Sequence, residues 1–226
     1  MRKKFDKSII LSALIISALI FLAGFSLGYV LNLEKIGYLE NRIGALSDNL
    51  RDFQFQLLFF DFFGGNVSCP VLKGMLTGIA EDYEKIGSKL SAGPGDEIRD
   101  YSDFQRVLAE YYKTSINYWL MAEKVRDSCK AKFVTILFFI SKSCEKYTPN
   151  PCDDQAWVLT YLKQKFDGDL LIFTISADVD EPSIQALKTY YNFTEFPSLV
   201  INGKKTFSGF LPLENLSAIL CEYGLC

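Results

Sequence analysis

Apolar positions along this 226-residue chain follow three different patterns in turn. From Ser8 to Leu33 a mostly apolar run contains no Asp, Glu, Lys or Arg. At about 1.5 Å of rise per residue, a helix of that length exceeds a bilayer core of about 30 Å. Arg2, Lys3, Lys4 and Lys7 precede it, and basic residues stay on the cytoplasmic side of a membrane. The sequence therefore predicts a cytoplasmic basic tail over 1–7 and a transmembrane signal anchor over 8–33. It also predicts a single-pass location in the cell membrane, with the C-terminal domains extracytoplasmic. A cleaved signal peptide is the rival reading, although its apolar region usually spans only about 7–15 residues; Ala23-Gly24-Phe25-Ser26 is a weak cleavage candidate. A buried core helix is the third reading, and apolar runs of more than about 18 residues are rare in soluble folds.

The second pattern is helical. Ile36, Leu39, Ile43, Leu46, Leu50, Phe53, Leu57 and Phe60 recur at alternating spacings of three and four, a heptad stripe. Such a stripe suits a parallel homodimeric coiled-coil stalk or one helix of an intramolecular bundle. The sequence downstream favours the bundle. After a Gly64-Gly65 break, Cys69-Pro70 opens a second helix with Leu72, Met75, Ile79, Tyr83, Ile86 and Leu90 on one face. Ser91-Ala-Gly-Pro-Gly-Asp96 ends it. A third helix runs from about Tyr101 to Cys129, with Phe104, Leu108, Tyr111, Tyr118, Ala122 and Val125 on its apolar face. Up-down-up packing over residues 34–130 would bring the start of the second helix to the end of the third. Those two ends carry Cys69 and Cys129, so antiparallel packing predicts a disulfide between them, with two buried free cysteines as the alternative.

The third pattern, over 131–226, alternates strands and helices. Phe133 to Ile140 is apolar or β-branched throughout and reads as a strand buried on both faces. It leads into a loop holding Cys144 and Cys152. Asp153 and Asp154 then open a helix to Phe166, whose expected apolar face is Trp157, Leu159, Tyr161, Leu162 and Phe166. Cys152 thus lies at a helix N-terminus, where unpaired N–H groups and the helix dipole favour a thiolate. A second strand (170–175), a helix (183–191), a hairpin of 198–201 and 205–208 around Asn202-Gly203, and a last helix (212–222) complete the order β-α-β-α-β-β-α. The fold class expected is α plus α/β: a transmembrane helix, a helical hairpin or three-helix bundle, then a mixed-sheet domain.

Composition narrows the chemistry. With 24 basic and 27 acidic residues and a pI near 5.2, the chain has no electrostatic footprint for nucleic acid. It contains no His, which removes histidine-based zinc sites and Ser-His or Cys-His catalysis. No metal or cofactor is expected, and six cysteines are the obvious reactive groups. An even number in an oxidising compartment is expected to pair. Cys221 and Cys226 flank Glu-Tyr-Gly-Leu, and a turn at Gly224 would let them form a structural clip; a free or intermolecular thiol is the alternative. Asn66-Val-Ser, Asn192-Phe-Thr and Asn215-Leu-Ser are glycosylation sequons. Glu145 and Asp153 are the carboxylates nearest the Cys144/Cys152 pair in sequence.

Residues 133–223 resemble the thioredoxin-fold family. The resemblance rests on Asp178-Val-Asp180-Glu after a strand, on Tyr190-Tyr-Asn-Phe193, and on Phe196-Pro-Ser-Leu-Val-Ile-Asn-Gly203 followed by Phe207-Ser-Gly-Phe210. It implies a cis Phe196–Pro197 bond beside the cysteine loop, with Phe196 and Pro197 shaping a substrate groove. The family's redox motif has two residues between its cysteines, whereas Cys144 and Cys152 are separated by seven, and Ser143 stands where the family usually has Trp. Three functions follow as expectations. Cys144 and Cys152 exchange disulfides with protein thiols; or they staple a binding module for a peptide partner; or the stalk leads, as a membrane-proximal homodimer.

Overall fold

The computed structural model describes residues 7–63, 69–91 and 101–226. Arg2, Lys3, Lys4, the Gly64-Gly65 break, the Asn66 sequon and Ala92–Asp96 lie outside the described residues. The first helix, α1 (Lys7–Phe63), is continuous over 57 residues. It is followed by α2 (Cys69–Ser91) and α3 (Tyr101–Cys129), and then by β1 (Val134–Ile140), α4 (Pro151–Phe166), β2 (Leu170–Ser176), α5 (Pro182–Tyr191), β3 (Ser198–Ile201), β4 (Lys205–Ser208) and α6 (Leu213–Glu222).

The expected transmembrane helix over 8–33 is corrected. Among the described residues no helix is long and apolar enough to cross a membrane. Residues 11–27 are an exposed part of α1, with Leu14, Ile20 and Phe21 all facing outward. The signal anchor, the single-pass membrane location and the extracytoplasmic placement fall with it. The fold class is corrected accordingly, to a mainly helical molecule with one small four-stranded sheet.

Beyond that stretch the heptad stripe finds its cover within the chain. Leu39, Ile43, Leu46, Leu50, Phe53 and Leu57 are buried, and α1 packs on α2 and α3. Gln54 Nε2 donates to Asn117 Oδ1 across the α1–α3 seam at 2.9 Å. Cys69 and Cys129 are disulfide-bonded with Cα atoms 5.6 Å apart, as antiparallel α2 and α3 require.

The sheet has the order β2-β1-β3-β4. β1 and β2 are parallel, with Leu137 opposite Phe173. β3 runs antiparallel to both β1 and β4. Because side chains alternate along a strand, β1 divides its residues between two cores. Val134, Ile136 and Phe138 meet Leu159 and Leu162 of α4 and Leu216 and Leu220 of α6. Leu137 and Phe139 face the other way, into a core shared with α5 and with α2 and α3. Helix α3 packs directly on β1, β2 and α5. The rings of Tyr83 and Tyr118 lie 5.6 and 5.1 Å from that of Phe173 on β2. The bundle therefore covers one face of the sheet, and one apolar core runs through both.

The exposed face of α4 differs from expectation. Trp157 and Tyr161 point outward, 76% and 55% exposed, while Cys152, Gln155, Leu159 and Leu162 form the buried stripe.

Candidate functional site

The loop after β1 is built from the backbone outward. Ser141, in an extended conformation, caps a short 3-10 helix over Lys142–Lys146 by accepting the Ser143 N–H at 3.1 Å. Its own hydroxyl donates to Asp178 Oδ1 at 2.9 Å, and the Lys142 N–H donates to Asp178 Oδ2 at 2.6 Å. Asp178 follows β2, so one carboxylate ties the start of the cysteine loop to the neighbouring strand's exit. Cys144 lies inside the 3-10 turn, with its N–H on Ser141 O and its C=O on the Tyr147 N–H.

The second half of the loop turns through a cis Thr148–Pro149 bond and enters α4. Asn150 caps that helix by accepting the Cys152 N–H at 3.0 Å, and Pro151 occupies its first position, where no N–H is needed. The helix begins two residues earlier than Asp153 suggested, so Cys152 sits within its first turn. Cys144 and Cys152 are disulfide-bonded with Cα atoms 5.8 Å apart. Both are buried, Cys144 to 1% and Cys152 to 6% exposure.

Phe196–Pro197 is cis, and the Pro197 carbonyl accepts the Gly209 N–H at 2.8 Å. A groove of about 430 Å³ runs between the two segments. Ser143, Lys146, Tyr147 and Pro151 line it from the cysteine loop, and Thr194, Glu195, Phe196 and Gly209 line it from the other side. The structure thus brings Cys144, Cys152, Phe196 and Pro197 to one corner of the sheet. Cys69 opens α2 and Cys129 closes α3, and Cys221, in the last turn of α6, forms an exposed bridge with Cys226.

Electrostatics near the loop come from the bundle as well. Burial, with the charges of Tyr83 and Asp178, pushes the Tyr112 phenol up to about 12, so α3 presents Tyr112 near the Asp178 clamp as a neutral group. Among the described residues no group of three or more His, Cys, Asp or Glu could hold a metal ion.

Sequence reasoning missed two polar groups of the site. Asp178 was legible only as part of a motif, and its contacts to Ser141 and Lys142 span more than 30 residues. Gln155 is fully buried on α4, with Oε1 accepting the Leu211 N–H at 2.7 Å and Nε2 without a partner. The only signal for it was its position, three residues after Cys152.

No protein-family model matches the chain, and no curated protein does. Among solved structures, one described as the structure of a malarial protein is similar at 16% identity and a TM-score of 0.33. It is matched over 41% of this chain and 98% of its own.

Proposed function

We propose that residues 131–226 form a thioredoxin-like module that exchanges disulfides through Cys144 and Cys152. One observation carries the reading: the Cys144–Cys152 bridge lies at the start of α4, next to a groove bounded by cis Phe196–Pro197. A helix N-terminus stabilises a thiolate, and the thiolate is the attacking species. In the dithiol form, the Cys152 thiolate attacks one sulfur of a substrate disulfide, and the substrate bond breaks with its electron pair on the other sulfur. Cys144, deprotonating, then attacks Cys152 Sγ and releases the first substrate sulfur. The module is left as the disulfide, two electrons have passed to the substrate, and the two steps reversed oxidise a substrate dithiol. Phe196 and Pro197 hold an extended substrate segment beside the cysteines.

A second reading is favoured by the burial of both cysteines. In it the bridge is a fixed staple, and the groove binds a peptide partner without chemistry. A glutathione titration of the full chain separates the two, with alkylation and mass spectrometry reporting each cysteine. Exchange requires Cys144–Cys152 to open reversibly at a potential well above about −300 mV while Cys69–Cys129 stays closed. Equilibrium, not rate, is the readout, because the exposed Cys221–Cys226 bridge is the easiest to reach. A Cys144–Cys152 bond as resistant as Cys69–Cys129 would sink the exchange reading and leave the binding module.

A further inference from the structure

Gln155 lies one helical turn past Cys152, on the same buried face of α4. Its amide orientation is fixed: a backbone N–H can be met only by the amide oxygen, and Oε1 meets that of Leu211 at 2.7 Å. Nε2 must then point elsewhere, and it is buried without an acceptor. A buried donor left unmade is costly and uncommon in folded proteins. The cost has a reason if an acceptor appears in another state of the same molecule.

That state is the dithiol. A disulfide offers only weak sulfur acceptors, whereas an opened bond leaves a buried sulfur at position 152 that must be charged for exchange. A charge out of water needs donors. We propose that Gln155 is a positioning residue of the reduced protein, whose Nε2 donates to the Cys152 thiolate and draws the equilibrium toward the dithiol. Its purpose rests on the exchange reading above. With glutathione as reductant, one glutathione thiolate attacks Cys152 Sγ, and the Cys144–Cys152 bond breaks with its electron pair on Cys144, which takes a proton from water. A second glutathione thiolate attacks the glutathione sulfur of the mixed disulfide. Oxidised glutathione leaves, and the electron pair stays on Cys152, where Gln155 receives it.

The test uses the full chain as wild type, Gln155→Glu and Gln155→Met. Glu keeps an acceptor for the Leu211 N–H and loses the amide donor; Met removes both without adding charge. Melting of the oxidised proteins and circular dichroism of the reduced ones check the fold. After reduction by a phosphine, the pH dependence of alkylation at Cys152 is read by mass spectrometry, with Cys144 in the same sample as reference. Expected in both variants are an alkylation midpoint raised by about one pH unit at Cys152 and not at Cys144, and, at a pH above both midpoints, a glutathione equilibrium shifted about tenfold toward the disulfide. An unmoved Cys152 midpoint in Gln155→Met overturns the inference, even if Gln155→Glu moves it, because added negative charge alone would do that. A wild-type bond that glutathione cannot open would instead sink the exchange reading, while the alkylation midpoints still decide the role of Gln155.

Discussion

Arg126 near the end of α3 gathers a dense cluster of polar contacts. It donates through Nη1 to Glu123 Oε1 and to Asn202 Oδ1, both at 2.9 Å, and through Nη2 to Asp127 Oδ1 at 2.9 Å. Burial opposes its charge, but hydrogen bonds and attraction from Glu123 and Asp127 outweigh this and raise its pKa. Thr135 of β1 completes the cluster by donating its hydroxyl to Glu123 and its N–H to Asn202 Oδ1, the latter at 3.0 Å. Asn202-Gly203 therefore does two things. Its positive φ values, 51° and 66°, make the β3–β4 turn, and its side chain and bare Cα dock that turn on α3. A Cβ at Gly203 would come within 2.9 Å of Glu123 Oε2. Removing one member of such a buried ion pair strands the other. Arg126→Met is expected to lower the unfolding free energy by about 3–5 kcal/mol in urea titrations, and Glu123→Leu added to it to restore part of that loss. A double variant no more stable than Arg126→Met would mean that the stranded carboxylate is not the source of the cost.

The Cys69–Cys129 bridge closes a span of 60 residues between the ends of α2 and α3, and most of its effect falls on the unfolded chain. The loop-entropy relation gives about 4 kcal/mol for that span. Cys69→Ser with Cys129→Ser is expected to lower the denaturant midpoint accordingly while circular dichroism of the folded state stays unchanged; a loss of helix signal would mean the bridge is needed to form the α2–α3 pair. This bridge was legible because helical periodicity fixed α2 and α3, and antiparallel packing then left little choice of partner. β1 and the β3–β4 hairpin were legible in the same way, from an unbroken apolar run and an Asn-Gly turn. Helix α4 was misread by weighing residue type over phase. Trp157 and Tyr161 looked like core, yet the buried positions Cys152, Gln155, Leu159 and Leu162 follow spacings of three, four and three through a Gln. The Asp178 clamp, the Gln155–Leu211 bond and the Arg126 cluster could not be read, because each joins groups that only the tertiary fold brings together. The apolar stretch at 8–33 was read from its length, its lack of charge and the basic residues before it, and that reading is overturned because among the described residues no helix is long and apolar enough to cross a membrane.

At the scale of the whole molecule, the bundle and the sheet meet through tyrosine. Tyr83, Tyr111, Tyr112 and Tyr118 are buried. Tyr83 stacks on Tyr111 at 5.3 Å, and the Tyr118 hydroxyl donates to the Leu76 carbonyl at 3.0 Å. Burial raises the pKa of each of the four, with Tyr112 reaching about 12. Tyr191, whose hydroxyl donates to the Gly203 carbonyl, is raised to about 12, again chiefly by burial. The sign of the linkage follows. An unfolded tyrosine ionises near pH 10, whereas these keep their protons in the folded state to higher pH. Below about pH 10 both states hold the proton and stability does not depend on these groups. Between about pH 10 and 12 the unfolded chain releases protons that the folded chain retains, so stability falls as pH rises. Because two of these rings, Tyr83 and Tyr118, join α2 and α3 to Phe173 of β2 and the others share their core, ionisation should not be separable from loss of that contact. The expected outcome is a denaturant midpoint flat to about pH 10 and falling steeply above it, with the difference in tyrosinate absorbance between the wild type and Tyr112→Phe rising in the same step as the loss of circular dichroism. Tyr112→Phe removes one raised phenol and should make the fall shallower. If absorbance at these tyrosines instead rose well below the unfolding step, the rings would be open to water in the folded state, and the shared core between bundle and sheet would be looser than its packing indicates.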